Sequence, residues 1–319
     1  MYAKRAKEIF EEEIRELEKL KNSIDTTFDQ VVEAIYHCQG KVVMMGIGKT
    51  GIIAHKMAAS FASTGTPSIF VNAAEAVHGD LGMLNAQDIA ILVSNSGATN
   101  EILNIIDPLH RLGCRIVAMT GNIDSPLAKR ADYALSIHVD TEVCPLGIAP
   151  TTSTTATLLM GDALMVCLME MRQFKAEDFA LYHPGGALGR KLLGRVQNVM
   201  TTRVPRVTKD TTFRDVACEM SNKHLGITMV YDQLPMGKCV GIITDGDARR
   251  AIQKYNDVQI TASDIMTPSY KHISKDALLT DALAIMDTHN ITTLAVTETE
   301  NSTDIIGIIS IHHIIDFQS

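Results

Sequence analysis

Three hydroxyls and a glycine fall within six residues at Ser94-Asn95-Ser96-Gly97-Ala98-Thr99, the stretch of this sequence best suited to hold an anion. The apolar run Ile89 to Val93 before it is short and rich in branched residues, and reads as a buried parallel strand. After it, Asn100 to Leu112 keeps apolar residues at helical spacing. A strand, a hydroxyl-rich turn and a helix start together present unpaired backbone N–H groups and the positive end of a helix dipole. Ser94, Ser96 and Thr99 add donors, and Gly97 lets the backbone come close to a ligand. A phosphate is held this way without a lysine. A second turn, Gly46-Ile47-Gly48-Lys49-Thr50-Gly51, follows the apolar Lys41 to Met45. It is not a nucleotide P-loop, because no glycine stands five residues before Gly48-Lys49-Thr50, and Gly51 comes one residue early for G-x-G-x-x-G. Its glycines admit close backbone approach, and Lys49 is a cation at a strand end.

The elements that must position these turns alternate. Strands are predicted at Lys41–Met45, Ser68–Val71, Ile89–Val93, Arg115–Met119 and Tyr133–Val139, with helices at Ile52–Ala62 and from Asn100. That alternation predicts an α/β domain with a doubly wound parallel five-stranded sheet. In such a sheet ligands sit at the carboxyl ends of strands, where both turns fall. Residues Ala3 to about His37 read as one amphipathic helix with Ile9, Phe10, Ile14, Leu17, Leu20 and Ile24 on one side. Thr141 to Pro150 reads as an irregular loop. The hydroxyl cluster Thr151–Thr155 then opens a helix that is apolar almost all round to Met169, hence buried in its own domain or against another subunit. Phe179 to Lys191, glycine-rich and basic, reads as a shaped loop.

With 319 residues, 46% apolar and 21% charged, the chain is expected to form two or three globular domains. A formal charge of −8 with no basic stripe, no Trp and only 5% aromatic residues argue against nucleic acid as the main partner. No apolar run is expected to span a bilayer, and the Lys- and Glu-rich start does not read as a signal peptide. Six scattered cysteines form no metal-like pair and read as reduced thiols of a cytoplasmic protein. His78 with Glu75 gives two candidate metal ligands, too few for a required ion.

From Val196 onward the chain repeats itself. Asn198-Val-Met-Thr-Thr202 is echoed 66 residues later by Asp264-Ile-Met-Thr-Pro268, and Gly241-Ile-Ile-Thr244 at the same offset by Gly307-Ile-Ile-Ser310. Two anchors sharing one offset mark a duplication. Each unit reads as strand, helix, two strands, helix. These motifs resemble tandem CBS (cystathionine β-synthase) domains, which often bind nucleotides; the resemblance puts a ribose contact at Thr244, Asp245 and Asp247. At the second copy, Ser310-Ile-His-His-Ile-Ile315 has His313 where an Asp is usual. The pair serves either as a regulatory site or only to join subunits.

Ser94-Asn-Ser-Gly-Ala-Thr99 is similar to the S-x-S-G-x-T signature of sugar isomerase (SIS) domains. With Val42–Gly51, Phe61–Pro67, His78–Met83, Cys144–Gly147, Pro150–Ala156 and His183–Arg190, the chain resembles the D-arabinose 5-phosphate isomerase family over nearly its full length. The implied organisation is an SIS domain over 1–195 and CBS units over 196–258 and 259–319. The implied reaction interconverts arabinose 5-phosphate and ribulose 5-phosphate and supplies Kdo, the eight-carbon acid sugar of lipopolysaccharide or capsule. The resemblance implies no cofactor and a homotetrameric assembly. A proton moves between C1 and C2 through an enediolate, which calls for a carboxylate base, a group to stabilise the oxyanion, and an acid or base that opens the ring.

Motif matching puts these groups at Lys49, Glu101, Glu142 and His183. Glu142 is the expected proton shuttle, desolvated with a raised pKa, with Glu101 as second candidate. Lys49 is expected to stabilise the enediolate or the phosphate, and His183 to open the ring, acting in its own or a neighbouring subunit. Substrate contacts are implied at Gly48, Gly65, Thr66, Ser94, Ser96, Gly97, Thr99, Ser153 and Thr154. The family also implies zinc inhibition at His78 and a cytidine-monophosphate-linked sugar as effector. The competing reading is a non-catalytic phosphosugar sensor governed by a nucleotide at the CBS pair. A DNA-binding regulator would need a helix-turn-helix segment, and none is read.

Overall fold

A computed structural model describes residues 2–223, 225–235, 237–254 and 259–318. The chain separates into two compact units, Met1–Tyr182 and His183–Ser319. The expected division between the two repeats at 258/259 lies at residues 255–258, outside the described residues.

The first unit opens with α1 (Tyr2–Asn22) and α2 (Thr26–Tyr36), where the sequence predicted one helix. The break comes from Asp25, whose carboxylate accepts the Thr27 N–H at 2.8 Å and starts a new helix. Then follow β1 (Val42–Gly46), α3 (Gly48–Ser63), β2 (Ser68–Asn72), the short α4 (Ala73–Ala76), β3 (Ile89–Val93), α5 (Asn100–Leu112), β4 (Arg115–Thr120), α6 (Pro126–Arg130) and β5 (Tyr133–Ser136). All five strands are parallel in the order β2-β1-β3-β4-β5. β1 and β3 are buried along their whole length, which is why they read as unbroken apolar runs. One face carries α3 with α2 and α7 (Thr152–Met171), packing Val42, Met44, Met57, Phe61 and Leu164. The other carries α4, α5 and α6 over Val43, Met45, Ile102, Ile105 and Ile106. Strand order therefore reverses between β1 and β3, and a crevice forms at their carboxyl ends.

α7 is long and apolar enough to cross a membrane by length and composition, contrary to the expectation that no such run exists. One side of it is packed against the sheet helices: Gly161 faces Met57 so closely that a Cβ would stand 2.6 Å from the Met57 methyl. Its other side leaves Leu159 and Val166 about half exposed. The segment 179–191 is not a loop. It forms the end of α8 (Ala176–Tyr182) and most of α9 (Ala187–Leu193), with Gly189 buried against the His183 carbonyl, where a Cβ would come within 2.3 Å.

The second unit continues from α9 with β6 (Arg206–Thr208), α10 (Phe213–Lys223), β7 (Ile227–Tyr231), β8 (Cys239–Thr244), α11 (Asp245–Lys254), α12 (Ala262–Ile265), β9 (His272–Ser274), α13 (Leu279–His289), β10 (Thr293–Thr297), β11 (Ile305–Ser310) and α14 (Ile311–Gln318). Its two sheets, β6-β7-β8 and β9-β10-β11, pair alike: Ile227 faces Thr244, and 66 residues on Thr293 faces Ser310. The repeats are exchanged at their starts. Thr201 bridges to Ile308, and at the same offset Thr267 bridges to Ile242. A Cβ on Gly307 would meet the Met200 sulfur at 3.0 Å, and one on Gly241 the Met266 sulfur at 3.0 Å. The two duplicated motifs are thus opposite sides of one contact, made twice.

Candidate active site

β1, β3 and β5 deliver three helix starts to a single sheet edge. α3 begins immediately after β1, α5 after the Ser94–Thr99 turn, and α7 after the loop that leaves β5. α7 runs parallel to α3: Gly161 packs on Met57, Lys56 pairs with Asp162 at 2.5 Å, and Phe174 beyond the end of α7 lies against Gly65 beyond the end of α3. Lys49 and Ser153 each stand eight residues before that Met57–Gly161 contact, so they are level with one another at the carboxyl edge of the sheet. Neighbouring helix axes lie about 8–10 Å apart.

The Ser94–Thr99 turn is braced from beneath. Ser94 is buried; its hydroxyl accepts the Gly97 N–H at 3.1 Å and pairs with the Thr99 hydroxyl at 2.8 Å. The Gly97 carbonyl takes the Leu127 N–H of α6, and the Asn95 carbonyl takes the Gly121 N–H, both at 3.0 Å. Gly97 has φ +63°, and a Cβ there would come within 2.1 Å of the Ser125 hydroxyl. Only glycine satisfies both requirements. Among the described residues, nothing accepts from the backbone N–H groups of Ser96, Thr99, Asn100 or Glu101. These donors, the exposed Ser96 hydroxyl and the α5 dipole are an arrangement able to hold an anion. Ser94 therefore shapes the turn, and the free donors come from the backbone around it.

Gly48 also has positive φ, +56°, with open space around it. It lets α3 begin at once, so Lys49 sits in its first turn, exposed and without a hydrogen bond or ion pair among the described residues. Glu101 sits in the first turn of α5, half-buried and likewise without a partner.

Glu142 is bound to the start of α7. Its Oε2 accepts the Thr151 N–H and the Thr151 hydroxyl, both at 2.8 Å, and the Ser153 N–H at 3.3 Å. Burial alone pushes this carboxyl upward, but the hydroxyls and amides of Ser153 and Thr151 together more than offset it, and the net shift is below the usual value. The expected raised pKa is thus corrected: a carboxylate on a helix start stays ionised. Thr151 is the residue missed from the sequence. Its signal was present, a hydroxyl residue directly before an apolar helical run. Ser153 is buried and Thr154 turns its hydroxyl back to the Thr151 carbonyl at 2.8 Å.

Two expected site residues, Gly65 and Thr66, stand apart from this edge. Gly65 and Thr66 precede β2, and Pro67 accepts the Val42 N–H at the start of β1. They occupy the opposite edge of the parallel sheet, because a residue before a strand cannot share an edge with one after it. His78 is exposed near Glu75, and the described residues hold no group of three or more metal-ligating side chains. His183 begins the second unit, where its carbonyl accepts the Gly186 N–H at 3.0 Å. In that unit Thr244, Asp245 and Asp247 line a cleft of about 850 Å³.

An α/β sheet with an anion-binding turn at its switch point, joined to a duplicated β-α-β-β-α module, defines the class of protein. Residues 35–167 match the SIS domain, and 196–254 and 262–319 each match the CBS domain. The arabinose 5-phosphate isomerase KdsD of Salmonella typhimurium is 46% identical over 97% of this chain and 94% of its own length. That of Francisella tularensis is 43% identical over 98% and 96%. Among solved structures, Escherichia coli CFT073 c3406 in complex with arabinose 5-phosphate is 44% identical, covers 57% of this chain and 97% of its own, and superposes with a TM-score of 0.56. The chain belongs to the arabinose 5-phosphate isomerase family.

Proposed function

We infer that the protein is an aldose–ketose isomerase that interconverts D-arabinose 5-phosphate and D-ribulose 5-phosphate. The observation that carries this reading is the pairing, on one sheet edge, of an open helix start that accepts a phosphate with an ionised carboxylate fixed at another. The similarity to curated isomerases over almost the whole chain supports it and disfavours a non-catalytic sensor.

The phosphate of the substrate sits on the N–H groups of Ser96, Thr99 and Asn100, with Gly48 keeping the approach clear and Gly97 allowing the turn that presents them. Glu142, ionised and oriented by Thr151 and Ser153, removes the C2 proton, exchanges it with solvent and delivers a proton to C1. The C2–H electron pair forms the C1–C2 double bond, the carbonyl pair moves onto O1, and Lys49 stabilises the enediolate so formed; O1 gains a proton and O2 loses one as C1 is protonated and the ketone forms. Glu101, in the first turn of the phosphate helix, is the second carboxylate in reach of the edge and the alternative base. His183 opens the furanose ring. Only protons move, so the chemistry requires no cofactor, and zinc acts at His78 as an inhibitor.

The proposed assembly is a homotetramer; the exposed Phe10 and Ile14 of α1 and Leu159 and Val166 of α7 support it as apolar surface left for partners. The proposed setting is the cytoplasm, where six free cysteines persist, with the product feeding Kdo synthesis. A nucleotide or a cytidine-monophosphate-linked sugar at the CBS cleft is the proposed effector. Incubation with arabinose 5-phosphate in D2O tests the core reading. Ribulose 5-phosphate carrying solvent deuterium at C1 is expected, and binding without turnover sinks it.

A further inference from the structure

Glu142 lies between two backbone anchors that belong to different elements. After it, the Val143 N–H donates to the buried Thr152 hydroxyl at 3.1 Å, a contact made by the start of α7 itself. Before it, the Asp140 N–H donates to Glu16 Oε2 at 2.6 Å. Glu16 comes from α1, far away in sequence. Among the described residues of α1 only Glu16 and Leu20 are buried. A leucine there needs no explanation, but a carboxylate is costly to bury unless it is paired and hydrogen-bonded.

Its pairing closes a ring around Asp140. Lys19 Nζ lies 2.6 Å from Glu16 Oε1 and 2.6 Å from Asp140 Oδ2, so one ammonium joins the two side chains. His138 Nε2 faces Asp140 Oδ1 at 3.1 Å, and its Nδ1 stands 2.9 Å from the Gly121 carbonyl just beyond β4. Each of the four carboxylate oxygens thus has a nitrogen of its own, and the cluster is satisfied within itself rather than open to a ligand. Burial pushes the Glu16 carboxyl up, but Lys19 and the Asp140 amide more than offset it, so Glu16 is an ionised acceptor. A longer contact, the Thr155 hydroxyl to Glu13 Oε2 at 3.4 Å, runs from α7 to the same helix. α1 therefore holds both the segment that carries Glu142 and the helix start that Glu142 binds.

We propose that Glu16 is a positioning residue for Glu142: by accepting the Asp140 N–H it fixes the path of residues 140–143, and with it the place of the carboxylate against the α7 start. The proposal rests on the reading of Glu142 as the base. The α5 start that takes the phosphate lies outside the Glu16–Asp140 contact, so the effect falls on turnover and not on substrate binding.

Steady-state kinetics on the full chain with arabinose 5-phosphate tests it by separating reach from charge. Glu16→Gln keeps the length and an oxygen acceptor for the Asp140 N–H, and is expected to retain kcat within about threefold. Glu16→Asp keeps the charge but is one methylene short of the amide, and is expected to lower kcat about tenfold or more. Lys19→Met, at a side chain 57% exposed, leaves the fold alone but sets the Glu16 and Asp140 carboxylates against each other, and is expected to lower kcat in the same direction. Adding Glu16→Gln to Lys19→Met removes that repulsion, keeps the acceptor and should restore kcat. KM should stay within about threefold throughout. Glu16→Asp and Lys19→Met at full kcat, Glu16→Gln as slow as Glu16→Asp, or a raised KM with kcat unchanged each overturn this inference. Failure of the reading beneath it shows without any change at Glu16 or Lys19, as a native chain that does not turn over or as full kcat in Glu142→Gln.

Discussion

Replacing Gly97 with alanine separates the strain of a backbone conformation from the strain of a crowded site. The residue has φ +63°, and an added Cβ would lie 2.1 Å from the Ser125 hydroxyl and 2.8 Å from that of Thr120. The left-handed conformation costs a non-glycine residue about 1–2 kcal/mol. Ser125 cannot yield freely, because its hydroxyl accepts the Ala128 N–H and caps α6; losing such a cap costs about 0.5–2 kcal/mol. Gly97→Ala is therefore expected to destabilise the first unit by about 1.5–4 kcal/mol. Gly48→Ala is the control: φ is +56°, but nothing lies within 4 Å of the new Cβ, so only the conformational part of about 1–2 kcal/mol applies. The functional effects should diverge further. Displacing Gly97 moves the Ser96 and Thr99 amides, and weakening even one hydrogen bond to a charged phosphate raises KM about tenfold or more. Denaturant unfolding and steady-state kinetics on both variants provide the measurements. Equal stabilities for the two alanine variants, together with an unchanged KM in Gly97→Ala, would refute the packing argument.

Other consequences are as direct. Glu142→Gln retains an acceptor for the Thr151 N–H, so the fold should persist while kcat falls about 10²–10⁴-fold; full kcat removes Glu142 as the base. The Glu142 carboxyl is held below its ordinary value by its donors, so the rate should stay on its plateau down through about pH 5, and an acidic limb centred near 6 and abolished by Glu142→Gln would contradict this. Asp88 is fully buried and bonded to Lys41 Nζ at 2.7 Å; burial pushes its carboxyl up, but Lys41 and the Lys41 and Asn85 amides more than offset that, leaving it depressed. Its stabilisation is thus present above the unfolded value, about 3.9, and lost as pH falls through the folded one. Asp88→Asn should flatten that acid slope and cost about 3–5 kcal/mol at neutral pH, seen in urea unfolding across pH; an unchanged slope would show that Asp88 is not its source. In the second unit the buried Thr228 hydroxyl has no hydrogen-bond partner among the described residues, so Thr228→Val should raise stability by about 1 kcal/mol; a loss of stability would show that the hydroxyl is bonded.

What could be read from the sequence follows from how local each signal is. β1 and β3 stood out because strands buried on both faces become continuous branched runs, and the Ser94–Thr99 turn because its hydroxyls are consecutive. The helix split at Asp25 was hidden because Ile24 keeps the apolar period across the break while Asp25 caps the next helix. Glu142 was placed in a loop but given the wrong ionisation: its donors lie nine and eleven residues away, and desolvation was the only effect visible locally. Gly65 and Thr66 were legible as a turn, but which edge of a sheet a turn occupies depends on strand direction. The duplication was fully visible as an offset, although the reason for it, Gly241 against Met266 and Gly307 against Met200, is a tertiary contact.

Three helix starts at one edge would ordinarily compete for a single anionic substrate, and the sequence resolves that competition by filling one of them. The α7 start is occupied within the chain by Glu142, which has taken the Thr151 and Ser153 amides and so cannot be displaced without losing three hydrogen bonds. The α3 start carries Lys49 and has Gly48 before it, with space for a ligand. The α5 start has its amides unpaired, braced from the side of α6 by bonds that do not use the outward donors. A phosphate entering this edge therefore meets one open terminus, flanked by Glu101, one cation, and at the α7 start a negative charge already in place. Repulsion from Glu142 and attraction to α5 act in the same sense, so the phosphate end and the reacting end of a five-carbon sugar cannot exchange places. With Glu142 as the proposed base, binding polarity is set by the same hydrogen bonds that keep that carboxylate ionised, and a change at Thr151 should disturb both together.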